Sequence, residues 1–142
     1  GGSKESDKRR EVVMRTLRSL CDSLCEASSS LLGYGGIIAM GDFNDTPDAA
    51  QFSLLDGALE NACDELFRKG EGTIRYEGKW DLIDMFWVSP AVAGESRAEI
   101  LRIPFLMTRE RKHPGEKPLR TYSGPRYLGG VSDHCPLILK LR

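Results

Sequence analysis

Gly35-Gly36-Ile37-Ile38-Ala39-Met40-Gly41-Asp42-Phe43-Asn44-Asp45 is the stretch that decides the fold. The apolar run Ile37 to Met40 follows glycines and ends abruptly in a turn rich in Gly, Asp and Asn. A short continuous apolar run bounded in this way predicts a strand buried on both faces. Upstream, Val13, Leu17, Leu20, Leu24 and Leu31 recur at helical spacing with charges between them. That period predicts an amphipathic helix from about Asp7 to about Leu31, closed by Gly33, Gly35 and Gly36. Residues 1–10 are polar and charged and are expected as a loose lead-in, which leaves 11–142 as the folded unit.

Downstream, Thr46-Pro47 reads as the N-cap and first position of a helix carrying Ala49, Phe52 and Leu55. A short helical piece is expected within 57–70, around Leu59, Ala62, Leu66 and Phe67. Thr73 to Tyr76 and Asp81 to Val88 are β-rich and are separated by Glu77-Gly78-Lys79, a hairpin-type turn. Ala98 to Leu106 alternates like a strand, at an edge because of Pro104. Residues 107–131 read as a long cationic loop, and Cys135 to Leu141 as the closing strand. The order predicts an α/β protein, a mixed sheet with helices packed on it.

A chain of 142 residues is long enough for one domain with its own core. Its 20 Lys+Arg against 21 Asp+Glu exclude a globally basic nucleic-acid binder and an acidic disordered chain. No apolar run approaches the roughly 18 residues that a membrane helix needs. Cys21, Cys25, Cys63 and Cys135 form no Cys-x-x-Cys pair and are read as structural, with Cys21 and Cys25 as small buried residues on the helix. They leave the compartment open.

The polar residues of interest fall where strands should end. Asp42, Asn44 and Asp45 follow the apolar run, Asp81 and Asp84 lie in or beside the strand ending at Val88, and Asp133 and His134 precede the last strand. A carboxylate at the end of a buried strand is costly unless it is paired, hydrogen-bonded or bound to a cation. Such oxygen ligands suit Mg²⁺, Mn²⁺ or Ca²⁺ rather than zinc. The turn at 41–45 can be read simply as a strand-to-helix connection with local Asx hydrogen bonds. It can also be read as a carboxylate that activates water beside an amide that holds a phosphate oxygen. If the segment stays extended, Asp42 and Asn44 face one way and Phe43 faces the core.

Asp84 stands on an otherwise apolar face with Leu82 and Phe86, so it needs a buried partner. Of the two histidines, His113 and His134, the latter is the expected one. Ser132-Asp133-His134 cannot act as a hydrolytic triad, because three consecutive side chains do not line up as nucleophile, base and orienter. From Arg97 to Arg126 the cations outnumber the carboxylates, enough to bias an anionic ligand toward that side. Arg120 and Tyr122 are the substrate-contact candidates there, since Arg can grip a phosphate with two nitrogens.

In chain order these clusters resemble the endonuclease/exonuclease/phosphatase superfamily, the DNase I-like metal-dependent phosphoesterases. Ala39 to Asp45 is similar to that family's strand ending in a Gly-Asp-Phe-Asn turn. Trp80 to Trp87 is similar to its strand bearing an Ile-Asp pair. Gly130 to Leu137 is similar to its Ser-Asp-His-x-Pro motif before the final strand. The resemblance implies in-line attack of water on phosphorus with Mg²⁺ or Mn²⁺ neutralising charge. It assigns Asp42 to orienting or deprotonating the water, Asn44 to holding the phosphate, Asp84 to the catalytic histidine, and His134 to the phosphate oxygens. Asp133 and Asp42 become the acidic residues at or beside the metal.

The resemblance covers about residues 10 to 142 and only the family's C-terminal half. It implies half of a two-sheet sandwich flanked by helices, with a mixed, mostly antiparallel sheet. The Asn and Glu that ligate the family's principal metal have no counterpart here. The chain is therefore expected to be a fragment, weak or inactive alone, whose partner is the missing N-terminal half. The alternative is a non-catalytic anion-binding or scaffolding module of the same fold. The phosphate-ester substrate stays open among small molecules, lipid head groups and nucleic acid.

Overall fold

The computed structural model describes residues 4–31 and 35–142. Helix α1 spans Lys4–Leu31. Strand β1 (Ile38–Asp42) leads into a 3₁₀ helix at Ala50–Leu55. Then come β2 (Glu60–Asn61), helix α2 (Asp64–Arg68), the hairpin of β3 (Ile74–Tyr76) and β4 (Lys79–Asp81), and β5 (Asp84–Val88). A short helix α3 (Pro90–Ala93) precedes β6 (Ser96–Ile100). Two small hairpins follow, β7 (Met107–Arg109) with β8 (Glu116–Pro118) and β9 (Tyr122–Ser123) with β10 (Arg126–Tyr127), before β11 (Leu137–Leu141). The class is α/β, built from small sheets and a few helices, and every strand pair among the described residues is antiparallel.

The central sheet has the order β1-β5-β2, and β6 pairs with β11. With a neighbour on each side, β5 buries Met85, Phe86, Trp87 and Val88 on both faces. Phe52 stacks on Trp87 at 5.2 Å between ring centroids, and Phe43 meets Phe52 edge-on at 5.9 Å. Each such pair contributes about 1 kcal/mol beyond the area it buries.

Several expectations change. The strand at Ile38–Asp42 is not buried on both faces: it lies at the edge of its sheet, and Met40 is 66% exposed. Residues 4–10 are not a loose lead-in but the first turns of α1. The stop expected at Gly33 lies outside the described residues. On α1, Val13, Leu20 and Leu24 face solvent, while Met14 and Cys21 are buried and Leu17 is half-buried. Two arginines set that rotation: Arg10 comes within 3.3 Å of Asp45, and Arg18 donates to the carbonyls of Leu54 and Asp56 at 3.1 and 2.8 Å. Arg10, Met14, Leu17, Arg18 and Cys21 share one helical face, and these contacts turn it inward. Cys25, expected inside, is exposed.

Thr46 does not cap a helix. Its amide takes Asp45 Oδ1 and its hydroxyl takes Asp48 Oδ1, local bonds that compete with helix formation, and the 3₁₀ helix starts only at Ala50. The helical piece in 57–70 reduces to Asp64–Arg68, behind a strand at Glu60–Asn61. The strand from Asp81 to Val88 breaks at Leu82 and Ile83. The strand from Ala98 ends at Ile100, and Pro104, lacking an amide donor, opens a 3₁₀ turn instead. The cationic segment 107–131 is not one long loop but carries the two hairpins.

Candidate functional site

The register of the central sheet sets the Cα of Asp42 opposite that of Asp84. Like charges directly opposite on antiparallel strands are unfavourable, so this placement calls for compensating partners. Asp84 has them. Its Oδ2 accepts from the Thr73 hydroxyl at 2.5 Å and lies 2.7 Å from His134 Nδ1. A carboxylate only accepts, so Nδ1 carries the proton and Nε2 is left as the other ring atom. The backbone amide of Asp84 approaches the Thr73 oxygen at 3.4 Å, which closes the network. Thr73 is fully buried, whereas the Asp84 and His134 side chains are 22% and 24% exposed.

Strand β3 brings these groups together. Ile74 forms a β-bridge with His134, and the amide of Cys135 donates to the Thr73 carbonyl at 2.7 Å. The histidine-bearing segment is thus splinted to the residue that holds Asp84. On the other side of the cluster, the strand ends at Asp42 and the chain turns. Phe43 N still donates to Ile83 O at 2.8 Å and its ring goes to the core, but Asn44 adopts φ +57°, so the segment is not extended through Asn44. In that conformation the Asn44 amide donates to Asp42 Oδ1 at 2.7 Å, and its side chain is exposed. Asp45 is turned away to Arg10, Gln51 and its own neighbour's amide, an anchoring role.

Among the described residues, Asp42, Asp84 and His134 form the group of His, Cys, Asp and Glu whose ligand atoms all lie within 4.8 Å of one another. Asp133 lies outside that group. Its Oδ2 accepts from Arg120 Nη2 at 2.7 Å. Thr121 Oγ1 donates to Val131 O at 2.9 Å, so segment 119–121 runs alongside 130–133. A Cβ at Gly130 would sit 1.7 Å from the Leu119 carbonyl oxygen, which explains the glycine there. Tyr122 is exposed and tilted against Tyr127 at 5.4 Å. The structure therefore joins Asp42, Asn44, Asp84 and His134 at one end of the β1–β5 pair, and places Arg120 and Asp133 on the adjoining chain.

Sequence reasoning missed Thr73. A lone hydroxyl just before a short strand carries no periodic signal, and only the burial of Asp84 implies that some donor beyond the histidine is needed. Burial also acts on the cysteines: it pushes the Cys63 thiol up to about 11 and raises Cys21 and Cys135 above the usual thiol value. These groups are buried as thiols and take no part in the polar cluster.

The end of the β1–β5 pair thus carries two carboxylates and a carboxylate-bonded histidine on one α/β unit. The model of the endonuclease/exonuclease/phosphatase family matches residues 1–142, and the chain belongs to that family. The family is one of phosphoesterase- and nuclease-type hydrolases that commonly use divalent metals. No curated protein and no solved structure matches the chain. No helix among the described residues is long and apolar enough to cross a membrane.

Proposed function

We propose that this chain carries the histidine side of a divalent-cation-dependent phosphoesterase centre. The observation that carries the reading is Asp42 set opposite an Asp84 that is already committed to His134 and Thr73. In this reading Asp84 fixes the imidazole so that Nε2 serves the substrate, and His134 stabilises the negative charge that grows on the phosphate oxygens. The exposed side-chain amide of Asn44 donates to a phosphate oxygen, while its backbone amide stays on Asp42. Asp42 keeps one oxygen occupied by the Asn44 amide and orients the attacking water with the other. Arg120 and Tyr122 meet the rest of the ester.

The donor group of Asp42, Asp84 and His134 supplies two carboxylates beside one imidazole, and carboxylate oxygens suit a hard cation. Asp42 would hold Mg²⁺ or Mn²⁺, with Asp133 beside the site but committed to Arg120, and such an ion would neutralise charge on the phosphate when bound. Two carboxylates are few for a cation that takes about six oxygens. Asp84 has an oxygen shared between two donors, which leaves it poorly placed to make up the number. The reading therefore includes ligands from the N-terminal half of the domain. Among the described residues the outer edge of β1 has no partner and Met40 on it is exposed, the surface which that half would cover.

The test is hydrolysis of bis(p-nitrophenyl) phosphate with Mg²⁺ or Mn²⁺, by this chain and by the chain joined to an N-terminal half. The expected result is turnover only by the joined protein, lowered at least about 100-fold by His134→Ala or Asp42→Ala. Turnover by the isolated chain overturns the need for outside ligands. A joined protein that binds phosphate without hydrolysing any ester points instead to an anion-binding module.

A further inference from the structure

A groove of about 620 Å³ runs between the β3–β4 turn and the β7–β8 hairpin, and Arg120 and Asp133 form part of its wall. Through that ion pair it adjoins the segment carrying His134. We propose that this groove is a second phosphate-binding subsite, so that the substrate carries a further phosphate beyond the one attacked. The inference rests on the phosphoesterase reading above and deepens it.

Charge accounting along the groove supports the assignment. Arg75 and Arg120 are matched by Glu110 and Asp133 at 3.1 and 2.7 Å. Lys112 and Lys117 also line it and have no carboxylate partner among the described residues, against Glu77 as the remaining carboxylate in the lining. Once the matched pairs are set aside, the two ammonium groups outnumber the single carboxylate. Lysine ammonium groups are compact donors that suit a phosphate without fixing its orientation.

The frame that presents these lysines is tied down by contacts from β3. Arg75 and Glu110 are 10% and 8% exposed, a buried ion pair beneath the groove. Arg75 also donates to the carbonyls of Glu116 and Pro114, each at 2.7 Å. Its guanidinium lies where a Cβ on Gly115 would sit, 2.7 Å from Nη1, and Gly115 has φ +106°, so the turn accepts only glycine. The His113 ring closes against Gly78 in the same way and contacts Glu110 Oε1 at 3.1 Å. The hairpin is thereby held by a side chain of β3, the strand whose neighbouring residue holds Asp84. Cations on a fixed frame lose less entropy when they bind than cations on a loose loop.

The experiment is calorimetric titration of the full chain, at constant ionic strength, with three probes: thymidine 5′-monophosphate, the tetranucleotide (dT)₄ and inositol trisphosphate. At least one of the multiply phosphorylated probes should bind about tenfold more tightly than the monophosphate, the size of one charge-assisted contact. Preference for (dT)₄ identifies a nucleic-acid strand, and preference for inositol trisphosphate identifies a phosphorylated polyol. Lys112→Ala/Lys117→Ala should bring that affinity down to the monophosphate level, and Lys112→Arg/Lys117→Arg should retain it. The proposal is overturned if neither probe exceeds the monophosphate, or if the alanine pair keeps the advantage. The readout is binding: a probe held through these lysines but not hydrolysed by the joined protein sinks the reaction and leaves the subsite standing.

Discussion

Thr73→Val tests the network around Asp84 without touching the outer face of the site. Valine keeps the shape of threonine and removes only the hydroxyl. That hydroxyl is fully buried and reaches Asp84 Oδ2 at 2.5 Å. A hydrogen bond to a charged group is worth about 1.5–3 kcal/mol. Asp84 is 22% exposed, so water replaces part of the loss, and the expected cost is about 2 kcal/mol. For a domain of this size that lowers the melting temperature by about 6 °C. With a urea m-value of about 2 kcal/mol/M it moves the midpoint by about 1 M. Thr73→Ser retains the donor and loses a buried methyl, which costs about 1 kcal/mol. Urea unfolding of both variants, and of each combined with Asp84→Asn, gives the coupling directly. A Thr73→Val protein within about 0.5 kcal/mol of the parent, or one with no coupling to Asp84, would show that the hydroxyl does not support the carboxylate.

Gly130→Ala forces a methyl against the Leu119 carbonyl and should cost about 3 kcal/mol or more, read as a large drop in melting temperature; a drop of under about 1 °C would mean the two segments separate freely. Arg75→Ala should release the β7–β8 hairpin, so that limited proteolysis within 110–116 speeds up at least about tenfold, and Arg75→Lys should not restore protection because an ammonium cannot match the guanidinium's contacts to Glu110 and two carbonyls at once. Thiol labelling of the native chain at pH 8 should reach Cys25 first, with Cys63 protected until unfolding. Because burial lifts Cys63 from 9.0 to about 11, the stability it contributes is complete below pH 9 and declines as pH rises toward 11; labelling of Cys63 as fast as Cys25 would contradict its burial.

What the sequence made legible was decided by continuity and by the cost of burying charge. Ile37 to Met40 had to be a strand because glycines and an Asx turn bounded it, although the number of its neighbours could not be read, and it proved an edge. Asp84 could be matched to a histidine because a carboxylate in an apolar strand cannot stand alone. The face of α1 was illegible because Arg10 and Arg18 set it by reaching Asp45 and the carbonyls of Leu54 and Asp56, groups far along the chain. The hairpins within 107–127 were hidden in a loop-like composition, since Arg75 holds the first of them from another element. Thr73 escaped for the same reason: its meaning lies in what it touches.

The Arg75 grip has a consequence for how this surface can change. The guanidinium reads main-chain oxygens at positions 114 and 116, and every residue type supplies such oxygens. Apart from Met107, Glu110, His113 and the glycine at the turn, the hairpin's side chains are therefore little spent on attachment. Its outward residues can be rewritten wholesale while the mounting stays the same, so ligand preference can drift here without loosening the strand that supports His134.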